Sequence, residues 1–110
     1  MSDGFEVLWT ETARRDLSGI ARFIAEDSVS SALGALRRIE EAAAALCTVP
    51  LRGRVVPELR DQGVSRYREL IVNPWRVVYR VEEQRVYALS VLDSRRNLED
   101  ILLGRFVGID

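Results

Sequence analysis

Histidine and lysine are absent from this 110-residue chain, and cysteine occurs once, at Cys47. These gaps exclude whole classes of chemistry. There is no imidazole acid–base catalysis, no Ser-His-Asp or Cys-His nucleophile, no Schiff-base or P-loop lysine, and no His- or Cys-built metal cluster. Catalysis, if any, falls to carboxylates, tyrosines, hydroxyls, arginines or the backbone, and no cofactor or metal is expected. One cysteine cannot form a disulfide within the chain, which fits a reducing, cytoplasmic setting. Met1 to Val7 lack the basic-then-apolar pattern of a secretion signal, and no run approaches the ~20 apolar residues that would span a membrane.

What is present describes a folding chain. Hydrophobic residues make up 47% and charged residues 30%, a balance that favours a core over disorder. The length suits one domain spanning residues 1–110. The 16 basic residues, all arginine, nearly cancel 17 acidic ones, so total charge argues for neither a polyanion nor a membrane partner. The distribution is uneven, however. Residues 1–50 hold five arginines against eight acids, whereas 52–80 hold seven against three. Use of arginine alone is better explained by codon bias in a GC-rich genome than by a binding role.

Hydropathy periodicity predicts the elements. Phe5, Val7 and Trp9 alternate as in a short strand. Thr10 can cap a helix whose apolar stripe is Ala13, Leu17, Ile20, Ala21 and Ile24, and Ser28 or Ser30 can cap a second carrying Ala32, Leu33, Leu36, Ile39, Ala43 and Leu46. The short joint implies an antiparallel helical hairpin, closed by Pro50. Residues 51–63 read as a loop with an extended piece at Val55-Val56. Strands follow at Arg66–Val72, Trp75–Glu82 and Arg85–Leu92, joined by Asn73-Pro74 and by Glu82-Glu83-Gln84. A closing helix carries Leu98, Ile101, Leu102 and Phe106, with Ser94 a candidate cap. The expected fold class is α+β, in the order β-α-α-β-β-β-α. An antiparallel twisted sheet would carry the N-terminal hairpin on one face and leave the other largely uncovered.

The candidate anion-binding residues are Arg68, Arg76, Arg80, Arg95 and Arg96. With the hairpin on the Trp75/Val77/Tyr79 face, Arg76 and Arg80 point away from it, and Arg68 joins them if the register allows. Clustered guanidinium groups suit phosphates or a carboxylate-rich peptide. The competing reading is a set of solvated arginines paired with Glu69, Glu82, Glu83 or Asp93. Trp75 and Tyr79 could stack on bases or fill the core, and their alternate spacing favours the core. Cys47 reads as a packed thiol.

The segments Tyr67-Arg68-Glu69-Leu70, Trp75-Arg76-Val77-Val78-Tyr79-Arg80-Val81 and Val91-Leu92-Asp93-Ser94-Arg95-Arg96, in this order of elements, resemble the RelE/ParE toxin superfamily of type II toxin–antitoxin modules, also described as plasmid-stabilisation proteins. The resemblance covers nearly the whole chain. It implies a bacterial toxin neutralised by a cognate antitoxin that carries its own DNA-binding domain, so this chain itself would not read DNA sequence. RelE-like members cut messenger RNA on the ribosome, and ParE-like members poison DNA gyrase. On the RelE pattern Arg76 matches the strand arginine at the cleaved phosphate, Arg95 the transition-state arginine, and Arg68 one basic position. The next basic position is Leu70 here, and the C-terminal tyrosine falls at or near Ile101, with no tyrosine after Tyr87. Arginine stabilises charge but shuttles protons poorly, since its pKa stays above ~12, and a lost acid or base costs ~10²–10⁴-fold. The resemblance therefore leans toward a ParE-like gyrase poison. A ribosome-dependent endoribonuclease using Arg68, Arg76 and Arg95, with a carboxylate such as Glu69 as base, and a non-toxic assembly or autoregulation partner stand as alternatives.

Overall fold

The computed structural model describes residues 4–108. Chain order is β1 (Glu6–Trp9), α1 (Glu11–Ala25), α2 (Val29–Ala44), a 3-10 turn (Ala45–Cys47), β2 (Arg54–Val55), α3 (Pro57–Arg60), β3 (Arg68–Val72), β4 (Trp75–Glu82), β5 (Arg85–Asp93) and α4 (Leu98–Phe106). The five strands form one sheet in the order β1-β5-β4-β3-β2. The α+β class and the helical hairpin on one sheet face are as the sequence predicts. The pairing differs at one edge: β2, β3, β4 and β5 are antiparallel neighbours, but β1 joins β5 in parallel. A parallel neighbour requires a long crossover, and everything from α1 to β4 lies between these two strands.

Local chemistry explains the boundaries. The Thr10 hydroxyl accepts the Ala13 N–H at 3.2 Å, capping α1, and donates to the Ala88 carbonyl at 3.1 Å. One side chain thus starts the helix and ties it to β5. Ser28 caps α2 by accepting the Ser31 N–H. Pro57 opens α3, where its missing N–H is no loss. Asn97, not Ser94, stands before α4; the Ser94 hydroxyl instead donates to the Pro74 carbonyl.

The sheet has a core on each face. Ala35, Ile39 and Leu46 of the hairpin side pack on Leu70, Trp75, Val77, Tyr79, Val86 and Val91. On the opposite face Val56, Leu59 and Tyr67 pack with Val78, Leu92, Leu98 and Leu102, and the Phe106 ring lies 4.8 Å from that of Tyr67. The second face is therefore not left bare. α3 and α4 cover it: α3 is short enough to read as loop in the sequence, and the closing helix, expected as such, packs on this face.

A register shift between Val78 and Tyr79 brings Ser90 opposite Val78 and Ala88 opposite Tyr79, so Leu89 is the extra residue of a bulge in β5. That bulge breaks the two-residue alternation of a regular strand. Val86 and Val91, of opposite parity, share the hairpin-side core.

Gly53 marks the tightest approach. Its N–H donates to the buried Tyr79 hydroxyl at 2.8 Å, and a Cβ there would lie 2.5 Å from the Glu69 carbonyl oxygen and 2.7 Å from that hydroxyl. Gly53→Ala should therefore lower stability by ~1–3 kcal/mol through overpacking. Gly34→Ala, within α2 and with nothing inside 4 Å, should raise it by ~0.5–1 kcal/mol. Urea denaturation of both variants checks the contrast.

Candidate functional site

The register divides the five candidate arginines among three places. Arg68 stands opposite Tyr79, and Arg76 opposite Ile71. Arg68 therefore lies on the hairpin side of the sheet, away from Arg76, and donates to the Gly53 carbonyl at 2.8 Å. Arg80, opposite Tyr87, pairs with Glu82 at 3.1 Å and lies 5.3 Å above the Tyr87 ring. Arg95 and Arg96 follow β5 at the end of the sheet where β4 begins. The five do not form one cluster.

Arg76 occupies the centre of the second face. Its Nε donates to Glu69 Oε1 at 2.6 Å, and Nη1 and Nη2 donate to both oxygens of Glu58 at 2.8 and 2.7 Å. Arg54 Nε donates to the other Glu69 oxygen at 2.8 Å. The Arg76 side chain is 9% exposed and that of Glu69 fully buried. Two carboxylates thus enclose one guanidinium, with a second arginine on the outer carboxylate oxygen. The Arg76 hydrogen bond holds the Glu58 carboxyl below its ordinary value, against the opposing effect of burial. Reciprocally, Glu58 raises Arg76 above an already high value. All three nitrogens of the Arg76 guanidinium thus donate within the fold. Glu58 and Arg54, both read as loop in the sequence, are partners that spacing alone did not reveal.

The tyrosines are also engaged. Tyr79 is fully buried, its hydroxyl accepts the Gly53 N–H, and burial pushes its phenol above the ordinary range. Tyr67 lies in the second core.

A cleft of about 680 Å³ opens between α1 and α4 at the end of β5. Ile20, Phe23, Ile24, Trp75, Leu98 and Ile101 give it apolar walls. Arg15, Asp16, Asp93, Arg95, Arg96 and Arg105 supply its charge. Asp16 accepts the Val91 N–H at 2.9 Å and an Arg105 hydrogen bond at 2.8 Å, and Arg105 also donates to Ser90 at 2.9 Å. Asp93 receives Arg95 through Nε at 2.9 Å and Nη2 at 2.7 Å, and these bonds hold its carboxyl below the ordinary range. Of the sequence candidates, Arg95 and Arg96 belong to this cleft. Sequence pattern does not distinguish Asp16, Phe23 and Arg105; the one available signal is a carboxylate at Asp16, four residues before Ile20 on the apolar side of α1. Among the described residues no group of three or more His, Cys, Asp or Glu is placed to hold a metal ion, and no helix is long and apolar enough to cross a membrane.

A helical hairpin and a closing helix around this five-stranded sheet define the fold of the RelE/ParE toxins. The chain superposes on the chromosomal ParDE system of P. aeruginosa with a TM-score of 0.67, 24% identity and coverage of 84% of this chain and 98% of that one. The RelBE2 toxin–antitoxin complex of Mycobacterium tuberculosis matches at 0.60, again with 24% identity, covering 82% and 91%. Sequence narrows the class. Residues 7–98 match the family model for the ParE toxin of type II toxin–antitoxin system, parDE. The chain is 36% identical over 93 residues to Toxin ParE3 of Caulobacter vibrioides, covering 84% of this chain and 89% of that protein. This chain belongs to the ParE toxin family of type II toxin–antitoxin systems.

The Arg76 network generates two predictions. Arg76→Met leaves Glu69 buried beside only the half-exposed Arg54, and should cost ~3–5 kcal/mol; Arg76→Met with Glu69→Leu should recover most of that loss, because removing a whole buried pair is far cheaper than breaking it. Chemical denaturation of the single and double variants tests the difference. Because the folded-state value of Glu58 is depressed, its contribution is present above the ordinary 4.5 and is lost as pH falls through the folded value. Stability should therefore fall on acidification below about 4.5, and Glu58→Gln should flatten that limb; urea midpoints measured between neutral pH and pH 3 provide the check.

Proposed function

We propose that the chain is a gyrase-directed toxin, acting in the cytoplasm as one domain and neutralised by a cognate antitoxin. Membership of the ParE family is the starting point. The observation that carries the choice of target is the enclosure of Arg76 by Glu58 and Glu69. Phosphodiester cleavage needs a proton acceptor for the 2′-hydroxyl, a donor for the leaving oxygen and charge stabilisation. The guanidinium best placed for the last role already donates to both carboxylates of its pocket. Arg68 lies across the sheet from it, and Arg95 is clamped to Asp93. A chain without histidine or lysine has few other proton carriers, and the Tyr79 hydroxyl is buried. Binding a protein target asks for none of this chemistry.

The antitoxin half of the proposal draws on the two structural neighbours, which are toxin–antitoxin assemblies. The expected partner is the product of an adjoining reading frame, with a DNA-binding region of its own and a segment that folds on the toxin.

Purified toxin should inhibit supercoiling by DNA gyrase at micromolar concentration, and addition of the antitoxin should restore it. The Arg76→Met/Glu69→Leu variant should inhibit as wild type does. New messenger-RNA cuts in the ribosomal A site after induction, abolished by that double change, would instead establish the endoribonuclease reading.

A further inference from the structure

We propose that the outer face of α1 is a phosphodiester-binding surface that holds the DNA of the gyrase–DNA complex; the inference rests on the gyrase reading above. Arg14, Ser18 and Arg22 follow one another at four-residue steps and so share one side of the helix. Glu11, Arg15 and Gly19 complete a shallow recess along that side. At 1.5 Å per residue Arg14 and Arg22 stand about 12 Å apart along the axis, while phosphates recur about every 3.4 Å of axis on each strand of a DNA duplex. The two side chains therefore reach different phosphates.

The charge of this face departs from that of the whole chain. The recess meets the cleft between α1 and α4 at Arg15 and Gly19, which line both. Together the two are lined by six arginines and three acids, in a chain whose net charge is -1. Each acid is held by one arginine, Glu11 by Arg15, Asp16 by Arg105 and Asp93 by Arg95. Arg14, Arg22 and Arg96 have no ion pair among the described residues, and all three are exposed. Three guanidinium groups are thus left to answer an incoming anion.

Gly19 adds an independent observation. It stands in the middle of α1, where glycine weakens a helix relative to alanine, and a Cβ there would meet nothing within 4 Å. Packing among the described residues therefore gives no reason for its missing side chain. The missing side chain does keep the floor between recess and cleft low, so that a continuous polyanion can cross the helix. The lining also favours nucleic acid over protein. The α1 recess is walled by Glu11, Arg14, Arg15, Ser18, Gly19 and Arg22, so a protein segment would find none of the apolar or aromatic anchors that dominate protein interfaces. Guanidinium groups and a serine hydroxyl are groups that bind phosphate oxygens, and such contacts position a duplex without reading its sequence.

The experiment titrates the full chain with a short mixed-sequence DNA duplex and, in parallel, measures inhibition of gyrase supercoiling. Three phosphate contacts predict that duplex affinity falls about fortyfold between about 50 and 200 mM salt; Arg14→Gln with Arg22→Gln should reduce that fall to about three- to fourfold and weaken binding about tenfold at the lower salt. Gly19→Glu should keep or raise the unfolding midpoint, since glutamate is the better helix former, yet weaken duplex binding about tenfold. Arg52→Gln with Arg66→Gln removes the same charge from exposed residues outside the face and should keep the wild-type salt dependence. Both α1 variants should need about tenfold more toxin for half-inhibition of gyrase, and the Arg52→Gln/Arg66→Gln variant no more than wild type. Wild-type salt dependence in both α1 variants, or tighter binding to an RNA duplex than to DNA, would overturn the DNA face while leaving the gyrase reading in place. Equal affinity for gyrase with and without DNA would overturn it in favour of a protein surface. Duplex binding through α1 by a toxin that leaves supercoiling unaffected would instead overturn the gyrase reading, and with it the assignment of this DNA to gyrase.

Discussion

The second face of the sheet is organised around one guanidinium. Arg76 is inward-facing on a central strand, where an unpaired cation would cost several kcal/mol. The fold meets that cost with Glu69 from the neighbouring strand and Glu58 from α3. The consequence reaches beyond the pair. α3 is four residues long, far too short to be stable by itself. It is placed by Leu59, Val56 and the Glu58 fork onto Arg76. Glu69 in turn receives Arg54, which anchors β2, a strand of two residues. The smallest elements of the molecule are thus fixed by ionic geometry together with full burial of Val56 and Leu59. Removing one member of such a network strands a buried charge, whereas removing a whole pair is far cheaper, so these elements depend on the pairs as units.

The bulge at Leu89 serves both cores at once. A strand flanked by a helical hairpin on one side and two short helices on the other must distribute its apolar residues between them. Strict alternation would send Val86 and Val91 to opposite faces. One extra residue returns both to the hairpin side, while Leu92 serves the other. The bulge also lies just beyond the last pair between β1 and β5, where the sheet edge opens toward the cleft. Beyond it, the Val91 N–H is taken by Asp16.

These features separate what could be read from sequence and what could not. The hairpin, the three long strands and the Thr10 and Ser28 caps rest on short-range patterns, in which a few residues at period 2 or 3.6 carry the signal. The parallel placement of β1 does not, because it depends on which free edge the first strand finds after a crossover of most of the chain. α3 and β2 carry too few residues for any periodicity. Likewise, Arg76 reads as a strand arginine on the face away from the hairpin, but its burial there depends on Glu58, 18 positions earlier in the chain. Arg68 shows the same limit from the other direction. Its inclusion with Arg76 turned on a register offset of one residue, which reverses the face a strand residue occupies.

A composition with arginine as its only strong base also shapes the charge of the cleft. A lysine paired to an aspartate offers a point charge and must be shared or released when a second anion arrives. An arginine has five donors in a planar fork. Arg95 uses Nε and Nη2 on Asp93, which leaves Nη1 directed elsewhere; Arg105 uses Nη1 and Nη2 on Asp16 and Ser90, which leaves Nε. Each internal pair therefore orients a side chain that still has a donor to give. The aspartates that dilute the positive charge of the cleft thus also restrict the rotamers of its arginines, and Glu11 does the same for Arg15 at 2.8 Å.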